Sequence, residues 1–386
     1  MERSGNRHQV RSTIGSNIFK ALRAALTRKI QIDCDCIPFH FDRVPLKKVL
    51  NWILVEASVY AHSRKPWGFP THLQIEPTNL CNLRCALCPV ADGMDRPSGV
   101  MSLDLFKKAV DEAGEHALLM MLWDWGEPFV NSSLCDMIAY ARQRGLKTLT
   151  STNGHFFRSD DEAEQLVRTG LDALIIAVDG ISQETYQRYR ESGSLETVVQ
   201  GIRRIVAAKK ALGSNTPYIN FRFVVMRHNE HEMPKLRDFA RSLGVDMFTL
   251  RALHLHDAKG LLKNEPGGRQ FLPENPEHQI YRMASDGIGR ERRKDNPCRK
   301  LWNSTTIHWN GKVSPCCFDP HDRYALGDLS RTDFRSIWKN PRYQKMRREF
   351  RHDYRIIDAC RDCAYAFEGG GLGTEDILEV QYFKTR

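Results

Sequence analysis

Three cysteines, Cys81, Cys85 and Cys88, lie in the stretch EPTNLCNLRCALCPV with the spacing C-x3-C-x2-C. Burial of an apolar core does not require three thiols inside eight residues. Thiolates so close together are metal ligands by preference. Three of them make a poor closed zinc site, which takes four ligands. They suit an iron–sulfur cluster in which one iron is left open to a ligand that is not protein. A second set follows later in the chain: Cys298 in NPCRKLW, Cys316 in GKVSPC, and Cys360 and Cys363 in DACRDC. Four thiolates fill either a closed zinc site or a closed [4Fe–4S] cluster, and spacing alone leaves both open. Cys317 stands beside Cys316 and is an alternative ligand. Cys34 and Cys36 fall outside both sets, on one face of a segment read as extended, and Cys135 reads as a small buried helix residue.

The rest of the chain must position these thiols. At 386 residues it exceeds one ordinary core and implies two domains. Hydrophobic content of 41% and charged content of 27% are globular values. The formal charge of +10 accommodates an acidic partner without identifying one. The opening MERSGNRHQV has no apolar signal region, and no stretch approaches 18 uncharged apolar residues, so a cytoplasmic location is expected. In that reducing compartment clustered thiols serve as metal or redox groups more than as disulfides.

From residue 71 to 255 six strands alternate with helices: HLQIEP, ALLMMLWDW, KTLTST, LDALIIAV, YINFRFVVM and VDMFTLRAL are the strands. This is the pattern of a parallel sheet with crossover helices. Six units rather than eight predict an open, partial (β/α)6 barrel, an α/β fold. In such layouts ligands bind at the carboxyl ends of the strands, where the cysteine triplet falls. Residues 1–70 are expected to form a basic helical extension. Ile14, Ile18, Leu22 and Leu26 repeat within it on an amphipathic helix over 12–30, either docked on the body or free for a membrane surface or partner. Residues 256–297 read as a linker, 298–367 as a small cysteine domain, and 368–386 as a flexible tail.

The triplet and the turns after the next strands resemble the signature of the radical S-adenosylmethionine (radical SAM) superfamily. WGEP (125–128) resembles its GGEP-type motif, STNG (151–154) its ribose-side turn, and AVDG (177–180) its fourth strand end. ETYQRYR (184–190) resembles a pattern whose last arginine pairs with the SAM carboxylate. Trp125, Ala177 and Leu87 depart from residues common in the family. The resemblance implies a [4Fe–4S] cluster on Cys81, Cys85 and Cys88, with SAM chelating the fourth iron. It implies SAM contacts from Gly126, Glu127, Pro128, Thr152, Asn153, Asp179 and Arg190. A glutamate and strand-end carbonyls are acceptors that an ammonium needs, and Arg190 would grip a carboxylate with two donors.

The order Cys298, Cys316, LGDL, IW, Cys360, Cys363 resembles the SPASM/Twitch extension of these enzymes, and a full SPASM domain would carry further cysteines. The implied cofactor is one auxiliary [4Fe–4S] cluster closed by the four thiolates. The implied reaction is reductive cleavage of SAM, hydrogen abstraction and net oxidation of a sugar, cyclitol or lipid-linked molecule. Modification of a peptide is the alternative. The implied electron donor is a flavodoxin or ferredoxin. Asn220 and Arg222 share a strand face, and Arg222 and Arg251 are expected to meet an anionic or hydroxylated substrate, or else to pair with a barrel acid such as Asp124 or Glu76. No nucleic-acid partner is expected, because interleaved aromatics and a C2H2 helix are missing. No cobalamin motif D-x-H-x-x-G occurs.

Overall fold

The computed structural model describes residues 14–253, 268, 270–279, 282–284, 287–289, 294–361, 363–366 and 377–384. It opens with helix α1 (Ile14–Thr27), strands β1 (Ile30–Cys34) and β2 (Ile37–Phe41), and helix α2 (Leu46–Tyr60). The expected helical extension is thus two helices with an antiparallel hairpin between them. IPFHF buries every second residue, the period of a half-buried strand. The hairpin turn holds Asp35 and Cys36 at φ 53° and 59°. Cys34 ends β1 while Cys36 lies in that turn, so the two do not share a strand face. On α1, Ala24 is buried, while Leu22 and Leu26 are exposed, the reverse of a helix docked by its leucine repeat.

Strands β3 (His72–Ile75), β4 (Leu119–Leu122), β5 (Lys147–Thr152), β6 (Ala173–Ala177), β7 (Tyr218–Val225) and β8 (Met247–Ala252) pair in parallel in chain order. These are the six expected strands. Helices α3 (Pro89–Asp92), α4 (Leu103–Glu112), α5 (Leu134–Gln143), α6 (Asp160–Arg168), α7 (Gln183–Tyr189), α8 (Leu195–Ala211) and α9 (Met233–Ser242) lie between them. Ser102 caps α4 by accepting from Leu105 N at 3.2 Å, and Ser159 and Glu162 form a capping box on α6.

Both sheet edges are covered from the C-terminal part of the chain, which removes open pairing edges. After a short hairpin, β9 (Arg282–Ala284) with β10 (Gly287–Gly289), helix α10 (Lys300–Asn303) leads into β11 (Ser304–Ile307), parallel to β3. β12 (Lys312–Ser314) and β13 (Gly327–Asp328) extend that edge. β14 (Ile377–Tyr382) pairs antiparallel with β8, so this part of the expected tail is a sheet strand. The expected linker holds the β9–β10 hairpin, and half of it lies outside the described residues, as does the glycine joint after 367. Trp302 and Trp338 donate their indole N–H groups to Ser63 O and Gly68 O, at 2.7 and 3.0 Å, tying the C-terminal region to the loop after α2.

The sheet has a core on each face. Leu73, Ile75, Met120, Leu122, Leu174 and Ile176 pack outward against Phe106, Ile138, Leu166 and Ile202 of the helices. Leu119, Leu149, Ala173, Ile175 and Met247 pack inward against Ile30, Ile37, Phe39 and Phe41. The N-terminal hairpin therefore plugs the barrel lumen. Phe39 is fully buried there. Phe39→Ala should destabilise the protein by about 3–5 kcal/mol, read as a lower midpoint in urea unfolding, because the rigid barrel wall cannot collapse into the space left.

Candidate functional site

The triplet occupies the loop after β3. Cys85 is buried, with Cys81 and Cys88 partly so. Cys88 N donates to Cys85 O at 3.2 Å, and Leu87 between them takes φ 65°, so the loop curls tightly. Burial pushes the Cys81 thiol up to about 11, and Cys85 and Cys88 rise for the same reason. Thiols in that setting stay protonated unless a cation takes them, which is how a metal site is loaded. Three soft donors on one curled loop fit the open [4Fe–4S] cluster.

The WGEP turn is stapled to this loop. Glu127 N donates to Leu80 O at 2.8 Å. Gly126 has φ 92°, and a Cβ there would lie 2.6 Å from Thr78 O and 2.7 Å from Leu80 O, so only glycine fits. Glu127 is buried and accepts from Thr152 Oγ1 at 2.8 Å, Asn153 N at 2.7 Å and Phe129 N at 3.2 Å. It thereby joins the ends of β4 and β5. Burial pushes its carboxyl up to about 7 against the pull of those donors. Pro128 begins the turn of 3-10 helix that follows. Asn153 Nδ2 donates to Asn82 Oδ1 at 2.8 Å and lies 3.9 Å from Cys81 Sγ. Gly126, Glu127, Pro128, Thr152 and Asn153 are thus gathered around the triplet.

Asp179 and Arg190 meet each other. Arg190 Nε and Nη2 reach Asp179 Oδ2 at 2.7 and 2.6 Å, and Asp179 Oδ1 accepts from Val224 N at 2.9 Å. Two Arg190 nitrogens hold Asp179, and Nη1 points at Cys85 Sγ, 3.7 Å away.

The later cysteines also converge. Burial raises the Cys360 thiol, and Cys298 and Cys363 are the neighbours that raise it further. Burial raises Cys316 too, with Cys317, Lys300 and Cys360 acting on it. These interactions make Cys298, Cys316, Cys360 and Cys363 electrostatic neighbours, while among the described residues no three His, Cys, Asp or Glu side chains stand in metal-binding geometry. Cys317 accepts a hydrogen bond from Lys300 Nζ at 3.1 Å.

Arg222 and Arg251 pair with neither Glu76 nor Asp124. Their partner is Asp35 in the plug, whose Oδ1 lies 3.0 Å from Arg222 Nη2 and 2.5 Å from Arg251 Nη1. Glu76 instead forms a buried pair with Arg96, with Arg96 Nη1 to Glu76 Oε2 at 2.7 Å. The two guanidiniums hold the Asp35 carboxyl down at about 2 despite its burial. Tyr382 on β14 donates its hydroxyl to Cys36 O at 2.7 Å. Sequence reasoning missed Asp35, because nothing in IDCDCIPF announces a hairpin aimed into a barrel. It named Asp124 only as a candidate partner of the two arginines, and it passed over Lys300 and His308, which carry no motif.

Two family models match: "Radical SAM superfamily" over residues 75–240 and "Iron-sulfur cluster-binding domain" (SPASM) over 298–364. The chain belongs to the radical SAM superfamily and carries a C-terminal SPASM domain. It is similar to the tungsten-containing aldehyde ferredoxin oxidoreductase cofactor-modifying protein of Pyrococcus furiosus, 26% identical over 79% of this chain and 90% of that one. It is similar to the AdoMet-dependent heme synthase of Methanosarcina barkeri, 24% identical over 81% and 95%. The subtilosin biosynthesis protein AlbA of Bacillus subtilis is 25% identical over 72% of this chain and 61% of its own length. Among solved structures, Streptococcus suis SuiB bound to S-adenosylmethionine shares the fold with a TM-score of 0.57 at 14% identity, over 80% of this chain and 74% of that one. Its family assigns the chain SAM and a [4Fe–4S] cluster, and its SPASM domain implies further iron–sulfur ligation.

The Asp35 contact gives a stability prediction. Asp35→Asn removes the counter-charge of two buried guanidiniums and should cost about 3 kcal/mol in chemical unfolding at pH 7. The carboxyl is held below its unfolded value of 3.8, so its contribution is present above that pH. The wild type should therefore keep this increment from pH 8 to 4 and lose it only as pH falls towards 2.

Proposed function

We propose that the protein is a radical SAM enzyme that removes a hydrogen atom from a small or lipid-linked molecule and completes a net oxidation, an auxiliary [4Fe–4S] cluster taking the second electron. The observation that carries this is the place of Lys300. Its buried ammonium contacts Cys317, acts on the Cys316 thiol of the auxiliary set, and reaches Cys34 on the lumen plug. Lys300 thus acts electrostatically on the auxiliary thiols and on the lumen plug together. When bound, the two clusters supply reductive SAM cleavage and an electron acceptor. The chain's own residues do the rest. Cys81, Cys85 and Cys88 hold the first cluster, and Cys298, Cys316, Cys360 and Cys363 close the second. Glu127 and the neighbouring carbonyls receive the SAM ammonium, Gly126 and Pro128 shape that turn, and Thr152 and Asn153 border the ribose side. Asp179 sets Arg190, whose third nitrogen faces the cluster loop and SAM.

Arg222 and Arg251, set by Asp35, supply donors to an acidic or hydroxylated substrate group. The names of the relatives span cofactor, peptide and heme chemistry, so the substrate is argued from this lumen. A lipid-linked substrate gains support from the exposed Leu22 and Leu26, with Arg23, Arg28 and Lys29 beside them, which suit peripheral contact with a membrane through residues 12–30. No helix among the described residues is long and apolar enough to cross a membrane. The +10 charge favours an acidic one-electron donor, a flavodoxin or ferredoxin in a reducing cytoplasm.

The deciding experiment is an anaerobic iron and sulfide count, with EPR of the reduced protein with and without SAM. About eight irons and two signals, one of them changed by SAM, are expected for two clusters. Cys85→Ala should abolish 5′-deoxyadenosine formation, and Cys360→Ala should leave the SAM-sensitive signal in place. About four irons with zinc beside them would remove the oxidation reading.

SAM binding should also depend on pH. Glu127 titrates near 7, so its carboxylate is lost below that value and the SAM ammonium loses its counter-charge. SAM affinity should fall about fivefold between pH 7 and 6 and hold steady above 8. Titration of the holoenzyme with SAM checks this, and Glu127→Gln should flatten the profile at the weak end.

A further inference from the structure

A row of buried acid, imidazole and acid joins the end of β4 to the C-terminal domain, and no step described above uses it. Asp124 lies just past β4 with its side chain 4% exposed. Its Oδ1 accepts from Gln74 Nε2 at 3.2 Å. Gln74 alternates with Leu73 and Ile75, which face the outer core, so it lies on the lumen side of β3. Oδ2 of Asp124 sits 3.4 Å from Nε2 of His308. That is ion-pair range without hydrogen-bond alignment, and neither buried atom has a hydrogen-bond partner among the described residues. His308 is fully buried, and its Nδ1 contacts Asp322 Oδ1. Asp322, 14% exposed, opens towards solvent and also accepts from Asn310 Nδ2 at 3.1 Å.

The groups that act on Asp124 come from each element packed against it. His308 follows β11, Glu76 follows β3 in its pair with Arg96, and Cys317 follows β12. Burial disfavours the imidazolium, but Asp124, Asp322 and Glu76 hold His308 up to about 10. Burial raises the Asp124 carboxyl to about 6 against the pull of that cation. As a fastener the row is poor, since buried ions lose their hydration and apolar residues of the same shape hold a core as well. As a proton acceptor it is poised: a carboxylate with a spare lone pair on the lumen side, kept ionised by the His308 imidazolium, which Asp322 holds in turn.

We propose that Asp124 accepts the proton released from substrate and that His308, set by Asp322, is its positioning residue. This rests on the net-oxidation reading. Converting a C–OH or C–NH group to its C=O or C=N form removes one hydrogen atom, one electron and one proton. The hydrogen atom goes to the nucleoside radical derived from SAM. The electron goes to the auxiliary cluster. The proton passes from the substrate O–H or N–H to Asp124 Oδ2. Asp124 gives it up to water when the product leaves, while His308, an imidazolium with a proton on both nitrogens, stays charged throughout. The electron and proton leave on the same side of the lumen, since Asp124 acts on Cys317, the neighbour of the cluster ligand Cys316.

Placing the two exits side by side has a consequence that needs no substrate to observe. Negative charge added to the auxiliary cluster favours proton uptake by Asp124, so the two equilibria are linked. The test is an EPR-monitored redox titration of the SAM-insensitive cluster in the anaerobic holoenzyme at pH 5 to 8. Above pH 6 the potential should become more negative as pH rises, by at most about 59 mV per unit, the value for a tenfold change in a one-electron couple. Asp124→Asn should abolish the slope. His308→Gln removes the facing cation, raises the Asp124 carboxyl, and should move the sloping region to higher pH. It serves as the deciding variant if Asp124→Asn does not load its clusters. A pH-independent potential in the wild type, or a slope that Asp124→Asn leaves intact, overturns the proposal and leaves the row as a structural fastener. Absence of a second cluster would instead overturn the oxidation reading on which the proposal stands, and the iron count tells these failures apart.

Discussion

A charge buried inside a parallel barrel must be answered by another part of the same chain, and here the answer is Asp35. Two guanidiniums on adjacent strands, Arg222 on β7 and Arg251 on β8, close on one carboxylate carried in by the N-terminal hairpin. Without that carboxylate, β7 and β8 would hold two like charges side by side in a dry lumen, which is strongly unfavourable. With it, the hairpin is seated in the lumen. The direction in which each arginine faces the reaction space is set as well. The apolar contacts of Phe39, Ile37 and Ile30 supply the bulk of the seating energy, and the ion pairs supply its register.

A second constraint works at the same carboxyl end of the strands. The cluster loop after β3, the WGEP turn after β4 and the STNG turn after β5 are sewn together through one buried carboxylate, Glu127, and through glycine contacts at Gly126 that no other residue could make. Catalysis by differential binding needs groups held in place before the reaction begins. Here the cluster thiols, the SAM-side turns and Arg190 are fixed by backbone and carboxylate contacts internal to the protein.

The C-terminal domain is joined to this machinery through the sheet itself. β11 continues the barrel sheet beside β3, so the thiols of that domain, Lys300, Cys317 and His308 are placed by the same hydrogen-bond ladder that places the lumen. Electron and proton exits on one side of a lumen are a natural product of that arrangement.

Much of this was legible in the sequence because the signals are local. A strand shows as alternation or as a short apolar run, and a helix shows as a cap followed by periodic residues and glycine. The thiol triplet and the WGEP, STNG and AVDG turns sit within a few residues of the strand ends they belong to. The open barrel, the two cysteine sets and the turns around the first of them follow from such short-range features. What the sequence did not reveal depends on contacts between residues far apart in the chain. The hairpin read only as an extended stretch inside a helical extension, because its strands are short and lie between helical segments, and the apolar wall of the lumen is what seats them as a pair. Asp35 with Arg222 and Arg251, Arg190 with Asp179, Asp124 with His308, and β14 on the edge of β8 are all pairings chosen by the closed shape of the sheet. Charge in a dry interior takes the nearest opposite charge in space. The chain order of these residues does not encode that distance, and only the tertiary structure decides it.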